Sequence, residues 1–187
     1  MNAPGVALVV RRIAAGDEAV FPDPTEPLLR RRASGAARLA AREALASLGG
    51  PADAPLPRSP GRFPIWPQGF VGSLAHDETV AVAACARASD YAGLGVDVEP
   101  AGPLPEEVAE IALFGPELRD PAQGRAIFCA KEAVYKAIHP LDGSPLEYED
   151  IAVDLAAGQA RLRDGRMLRL EWSADEHLIM AALLAIR

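Results

Sequence analysis

Between Leu94 and Pro100 apolar and polar positions alternate (Leu94-Gly95-Val96-Asp97-Val98-Glu99-Pro100), the two-residue period of a β-strand. Val6 to Ile13, Phe70 to Ala75 and Thr79 to Ala86 also read as strands. The last of these is expected to pair with 92–99 through a turn near Ser89-Asp90. A helical period runs from Glu26 to Leu48, with Thr25 as N-cap, Pro27 in the first turn and Gly49-Gly50 at the close. Six prolines within 51–69 predict an extended loop. A helix is expected over 105–113 and another from Gly124 to Ile138, stopped by Pro140. Its buried stripe is Ile127, Ala130, Val134 and Ile138, flanked by Phe128 and Tyr135. Asp164-Gly165 signals a hairpin in an antiparallel tail. For Leu178 to Ile186 periodicity does not separate a strand from a buried helix. Each half then holds a helix and strands, and each has an apolar run with an Ala-Ala pair, Val80 to Ala84 and Ile179 to Leu183. The expected class is α+β, a pseudo-duplicated arrangement divided as 1–100 and 101–187.

The 187 residues suffice for one domain or two small ones, and at 50% hydrophobic they can form a real core. A net charge of −7 argues against a general nucleic-acid binder. The charge is uneven: residues 1–95 carry 10 Arg against 9 Asp+Glu, whereas 96–187 carry 9 Lys+Arg against 17. The first part offers arginines for an anion and the second can hold a cation. Cys85 and Cys129 lack metal-ligand spacing and read as small buried hydrophobes. No leader pattern opens the chain, and the longest apolar run, Leu178 to Ile186, is too short to span a bilayer. A soluble cytoplasmic protein is expected.

Only two lysines occur, Lys131 and Lys136, both in Phe128-Cys129-Ala130-Lys131-Glu132-Ala133-Val134-Tyr135-Lys136-Ala137; the other 17 basic residues are arginine. An ammonium is a compact point charge suited to a phosphate, although chance clustering on a solvated helix gives the same pattern. Asp97 and Glu99 share one strand face about 7 Å apart. Such a pair repels unless a cation intervenes, and Mg2+ takes carboxylate oxygens while leaving positions for phosphate; a solvated strand end is the plain alternative. Glu132, four residues before Lys136, is either an ordinary helix-face partner or a third carboxylate for that pair. In the second case three carboxylates, a divalent ion and two ammonium groups make a phosphoryl-transfer site. His76, closing Gly72-Ser73-Leu74-Ala75-His76, and Arg62, in Gly61-Arg62-Phe63-Pro64, are candidate anion ligands. Their alternatives are a structural histidine and a surface loop arginine.

Taken together, Gly95-Val96-Asp97-Val98-Glu99 and the Lys131-Glu132 segment about thirty residues later resemble the paired signature of the 4′-phosphopantetheinyl transferase superfamily. The stretch Arg62-Phe63-Pro64-Ile65-Trp66-Pro67-Gln68-Gly69-Phe70-Val71-Gly72-Ser73-Leu74-Ala75-His76 is similar to its surfactin/enterobactin-synthetase type, in the branch of the enterobactin-synthetase component D. The resemblance implies a pseudo-twofold α+β fold with coenzyme A between the halves. It implies transfer of the phosphopantetheine arm to a serine of an apo acyl or peptidyl carrier protein, releasing adenosine 3′,5′-bisphosphate. It further implies that Asp97, Glu99 and Glu132 ligate Mg2+, with Mn2+ as a substitute, and that Glu132 and Lys136 serve the chemistry. It implies that Lys131 and Lys136 flank the ion and hold phosphate. It implies that Arg62, His76 and one or more of Arg30, Arg31 and Arg38 hold the 3′-phosphoadenosine end. A chain carrying both halves is expected to act as a monomer, on a carrier of siderophore, polyketide, peptide or fatty-acid synthesis.

Two positions depart from the pattern. Ser34-Gly35-Ala36-Ala37-Arg38 keeps only the arginine of the usual F-x-x-G-R, and Ala75 stands where Ser or Thr is usual. The missing hydroxyl is expected to remove one hydrogen bond to the 3′-phosphate, roughly 0.5–1.5 kcal/mol. The competing readings are a Mg2+-dependent phosphohydrolase, which gives no role to the Trp66 to His76 segment, and a non-catalytic coenzyme A-binding relative, against which the acidic set argues.

Overall fold

In the computed structural model, which describes residues 3–21, 23–143 and 145–186, the alternating segments become strands of two antiparallel sheets. β1 (Val6–Arg12), β2 (Phe70–His76) and β3 (Val80–Arg87) form the first, in the order β1-β3-β2. β4 (Tyr91–Pro100), β5 (Ile151–Asp154), β6 (Gln159–Leu162), β7 (Met167–Ala174) and β8 (His177–Ala185) form the second, in the order β4-β8-β7-β6-β5. Helix α1 (Leu28–Ser47) packs on the first sheet. Helix α2 (Glu106–Ala112) precedes α3 (Gly124–Asp142), which lies on β4 and β8. The architecture is α+β, a helix on an antiparallel sheet, twice.

The two sheets meet through one apolar core. Val80, Val82, Ala84 and Ala86 of β3 pack there with Leu94, Val96 and Val98 of β4 and with Ile179 and Leu183 of β8. The opposite faces are covered by the helices. Ala40, Ala41, Ala44 and Leu45 of α1 pack with Ala83 and Cys85, and Ala130, Val134 and Ile138 of α3 pack with Leu178, Met180 and Ala182. β8 is thus buried on both faces and paired on both edges, which resolves its continuous apolar run as a central strand. The expected stripe on α3 is buried, and both cysteines are free and buried.

Three local expectations are corrected. β3 does not pair with β4: its two edges are taken by β1 and β2, and β4 pairs with β8. By hydrogen bonding the chain therefore changes sheets between β3 and β4, so Asp97 and Glu99 belong with the second sheet although they precede residue 101. Thr25 does not cap α1; its hydroxyl turns to Asp23 and Pro27 holds the cap position. Pro140 lies inside the last turn of α3, where its missing N–H deprives only the Lys136 carbonyl, and Gly143 at φ 65° ends the helix. The hairpin at Asp164-Gly165 forms as expected between β6 and β7.

The seating of α3 depends on two glycines. A Cβ on Gly95 would lie 1.8 Å from the Ala133 carbonyl oxygen and 2.6 Å from the Ala137 nitrogen. One on Gly93 would lie 2.5 Å from the Ala137 oxygen. The helix backbone rests directly on β4, and the neighbours of Ala133 and Ala137 in the chain are Glu132 and Lys136.

Candidate active site

Strand alternation sends Val96 and Val98 into the core between the sheets and Asp97 and Glu99 toward α3. Lys136 donates to Asp97 Oδ1 at 2.6 Å, and Arg125 donates to Glu99 Oε2 at 2.6 Å while also bonding the carbonyls of Gly102 and Pro103. Glu132 Oε1 accepts from the Tyr148 hydroxyl. Asp97 Oδ2 is buried and, among the described residues, accepts no hydrogen bond from a nitrogen or oxygen donor, with only the Cys129 thiol against the carboxylate. Burial pushes the Glu99 carboxyl above its ordinary value; Arg125 opposes this, and repulsion from Asp97 and Glu132 adds to it. Asp97 and Glu99 share one face of β4, and Glu132 stands one helical turn from Lys136, the partner of Asp97.

Do these residues fit a divalent ion? Among the described residues, no three acidic, histidine or cysteine side chains are drawn into a metal-binding cluster as they stand. Two of the carboxylates hold a substitute cation instead, Lys136 on Asp97 and Arg125 on Glu99, while Glu132 gives one oxygen to Tyr148. The donor chemistry fits all the same. Oxygen-only ligands suit Mg2+ or Mn2+, and a buried carboxylate oxygen that no nitrogen or oxygen donor meets is a position that a cation satisfies.

A second site lies between α1, the loop at 58–64 and β2. Arg30, Arg38, Arg58, Arg62 and His76 line a cavity of about 180 Å3. Arg30, Arg58 and Arg62 converge on Glu26, at 3.3, 3.1 and 2.7 Å, and Arg58 also meets Asp23 at 3.6 Å, so three guanidinium groups face two carboxylates. Arg38 is fixed by the carbonyls of Ser34 and Leu56 and lies over the Phe21 ring, 3.6 Å from its centroid. Burial, then Arg58 and Arg42, hold its pKa down to about 10, so it stays charged at neutrality. His76, at the end of β2, is exposed. Loss of solvent, then the charge of Lys136, lower its pKa. This places the imidazole within electrostatic reach of Lys136.

Lys136 joins the two regions. With Arg62, Phe63, Trp66, Tyr135 and His139 it lines a cavity of about 230 Å3. That cavity shares Arg62, Pro64 and Leu74 with the arginine-lined one. It shares Tyr135 with a third, of about 210 Å3, beside Glu132 and Tyr148. Two larger depressions elsewhere, of about 610 and 680 Å3, each contain a single arginine.

Both halves of this cleft correspond to known sequence families. Residues 27–86 match the family model of the 4′-phosphopantetheinyl transferase N-terminal domain, and residues 93–186 match that of the 4′-phosphopantetheinyl transferase superfamily. The chain belongs to the 4′-phosphopantetheinyl transferase superfamily. It is 40% identical to the 4′-phosphopantetheinyl transferase Svp of Streptomyces mobaraensis, over 78% of this chain and 68% of that protein. It is 39% identical to Npt of Nocardia iowensis, over 73% and 65%, and 34% identical to PptT of Mycobacterium tuberculosis, over 79% and 75%. Both are likewise 4′-phosphopantetheinyl transferases. The break between the two matched segments falls between β3 and β4, where the chain changes sheets.

Within this 4′-phosphopantetheinyl transferase, the structure joins Asp97 of β4 to Lys136 of α3, one turn from Glu132, and gathers Arg30, Arg38, Arg62 and His76 around one cavity. Two residues named from the sequence are placed elsewhere. Arg31 is not among the residues lining the arginine cavity. Lys131 is fully buried, and its ammonium donates to the Ala112 carbonyl, Glu117 and the Tyr148 carbonyl. Ala75 is buried in the core between the sheets, on the strand face opposite His76, so a hydroxyl there would not face the arginines. Arg58, Arg125, Glu26 and Tyr148 are not legible in the sequence as site residues. Arg58 sits in a proline loop without periodicity, and Tyr148 in a single 3-10 turn, so neither carries a pattern that fixes where its side chain goes.

Proposed function

We propose that this chain transfers the 4′-phosphopantetheine arm of coenzyme A to a serine hydroxyl of an apo acyl or peptidyl carrier protein, releasing adenosine 3′,5′-bisphosphate. The observation that carries the reading is the meeting, at Lys136, of a carboxylate cluster with a cavity rich in arginine. A diphosphate with a separate 3′-phosphate needs both: a place for a cation under the diphosphate and a remote cradle for the second anion.

Arg38, Arg58, Arg62 and His76, with Arg30, receive the adenosine 3′-phosphate. Asp97, Glu99 and Glu132 would hold Mg2+ or Mn2+, which supplies charge neutralisation at the diphosphate. Lys136 contacts the diphosphate, and its hold strengthens as charge builds on the leaving phosphate. The serine oxygen attacks the phosphorus that bears the pantetheine arm, and the bond to the adenosine-side phosphate breaks. Glu132, directly or through a water, takes the serine proton. Lys131 and Arg31 are given no contact with coenzyme A. The first part of the chain anchors the nucleotide and the second carries the chemistry, with β4 grouped by hydrogen bonding with the second. Because one chain supplies both walls of the cleft, we expect a monomer, and the two free buried thiols agree with a reducing cytoplasm.

The test is the intact mass of an apo-carrier incubated with the protein, coenzyme A and Mg2+. The carrier gains one phosphopantetheine, and a carrier whose acceptor serine is alanine gains nothing. Hydrolysis of coenzyme A without any change in the carrier would instead support a phosphohydrolase.

A further inference from the structure

Lys131 is the largest of the fully buried side chains, yet the coenzyme does not need it. Its three ammonium protons meet three acceptors: the Ala112 carbonyl at the end of α2 (2.8 Å), Glu117 Oε2 (2.6 Å) and the Tyr148 carbonyl (3.0 Å). Glu117 in turn accepts from the backbone of Phe114 and Val153. One buried cation thereby ties the segment after α2, the turn at Tyr148 and α3 together. The side chain of Tyr148 rests on Phe128, and its hydroxyl donates to Glu132 Oε1. Lys131 and Glu132 are neighbours in sequence but leave α3 in different directions, and Tyr148 reconnects them: backbone to Lys131, phenol to Glu132.

We propose that Lys131 and Tyr148 are positioning residues for Glu132. The ammonium fixes the Tyr148 backbone, and the phenol fixes one carboxylate oxygen, so that Glu132 meets Asp97 and Glu99 in one arrangement. This rests on the reading of Glu132 as a member of the divalent-ion site. An exposed lysine could serve as a phosphate ligand, but a lysine with every proton bound to protein serves alignment.

The experiment measures coenzyme A binding by calorimetry without carrier, with and without Mg2+, so that no turnover is involved. Tyr148→Phe keeps the ring on Phe128 and the carbonyl on Lys131, and removes only the hydroxyl. The Mg2+-dependent gain in affinity should fall about tenfold, the scale of one hydrogen bond to a charged group, while affinity without Mg2+ is unchanged. In a Glu132→Gln background Tyr148→Phe should add little further loss. Lys131→Met should reproduce the Tyr148→Phe loss in any folded fraction, but it leaves the buried Glu117 unpaired, so Tyr148→Phe is the deciding variant. If Tyr148→Phe keeps the full Mg2+ gain while Glu132→Gln loses it, positioning is overturned and the metal reading stands. If Glu132→Gln also keeps the full gain, the metal reading itself fails and the positioning proposal with it.

Discussion

His76 and Lys136 lie close enough for the lysine charge to depress the histidine, yet the proposed roles differ in kind. In the proposed roles His76, Arg62 and Arg38 would hold a phosphate remote from the bond that breaks, so their contribution would be the same in ground and transition state. His76→Ala and Arg62→Ala should raise the coenzyme A KM with little change in kcat, whereas Lys136→Ala should lower kcat; steady-state kinetics with coenzyme A and its 3′-dephospho form separates them. An equal loss for His76→Ala on both ligands would remove His76 from the 3′-phosphate site. The histidine also gives a proton signature. Its folded pKa is lowered, so the free folded protein holds fewer protons than the unfolded chain, and stability from this group, intact above about pH 6.5, is lost as pH falls through that range. A bound phosphate favours the imidazolium and reverses the shift. Coenzyme A should therefore take up more proton near pH 6.5 with the wild-type protein than with His76→Gln, read by calorimetry in buffers of different ionisation enthalpy. Equal uptake would contradict the contact.

At the scale of elements, the site exists because α3 lies directly on β4. Gly95→Ala would put a methyl 1.8 Å from the Ala133 carbonyl oxygen, so strand and helix must part. We expect a loss of about 3 kcal/mol in urea unfolding, together with a loss of transfer activity, since Glu132 and Lys136 ride on the displaced helix. Unchanged stability would contradict this packing. The strand carrying Asp97 and Glu99 is legible in the sequence because alternation of valine and carboxylate sets both the secondary structure and the side-chain face. The helix with Glu132 and Lys136 is legible from its apolar stripe. The direction of Lys131 is not, because sequence spacing places a side chain on a helix but does not say whether a neighbouring segment will cover it. The pairing of β4 differs from the expected one for a related reason: the Ser89-Asp90 turn is a local signal, while the edge of β3 is taken by β1 from far away in sequence.

The whole molecule divides its charge across one cleft. The arginine-bearing first part faces the carboxylate-bearing second part, an asymmetry already visible in the composition. In the free protein Arg30, Arg58 and Arg62 converge on Glu26, and Asp97 and Glu99 pair with Lys136 and Arg125. Ligand binding on this account exchanges internal partners for phosphate and cation. Which arginines converge is not readable from the sequence, because 51–69 has no period from which to orient Arg58 and Arg62; the loop is shaped by its packing, with Arg62 at φ 68°. The central claim, that the cleft transfers phosphopantetheine through its three carboxylates and a divalent ion, is tested most directly by the rate of carrier modification, followed by intact mass as Mg2+ is titrated. The wild-type protein should modify the carrier in proportion to site occupancy and stop in excess chelator, and folded Asp97→Ala and Glu132→Ala should be slower by orders of magnitude at every Mg2+ concentration. Undiminished transfer in chelator, or near-normal transfer by folded Glu132→Ala, would contradict the account.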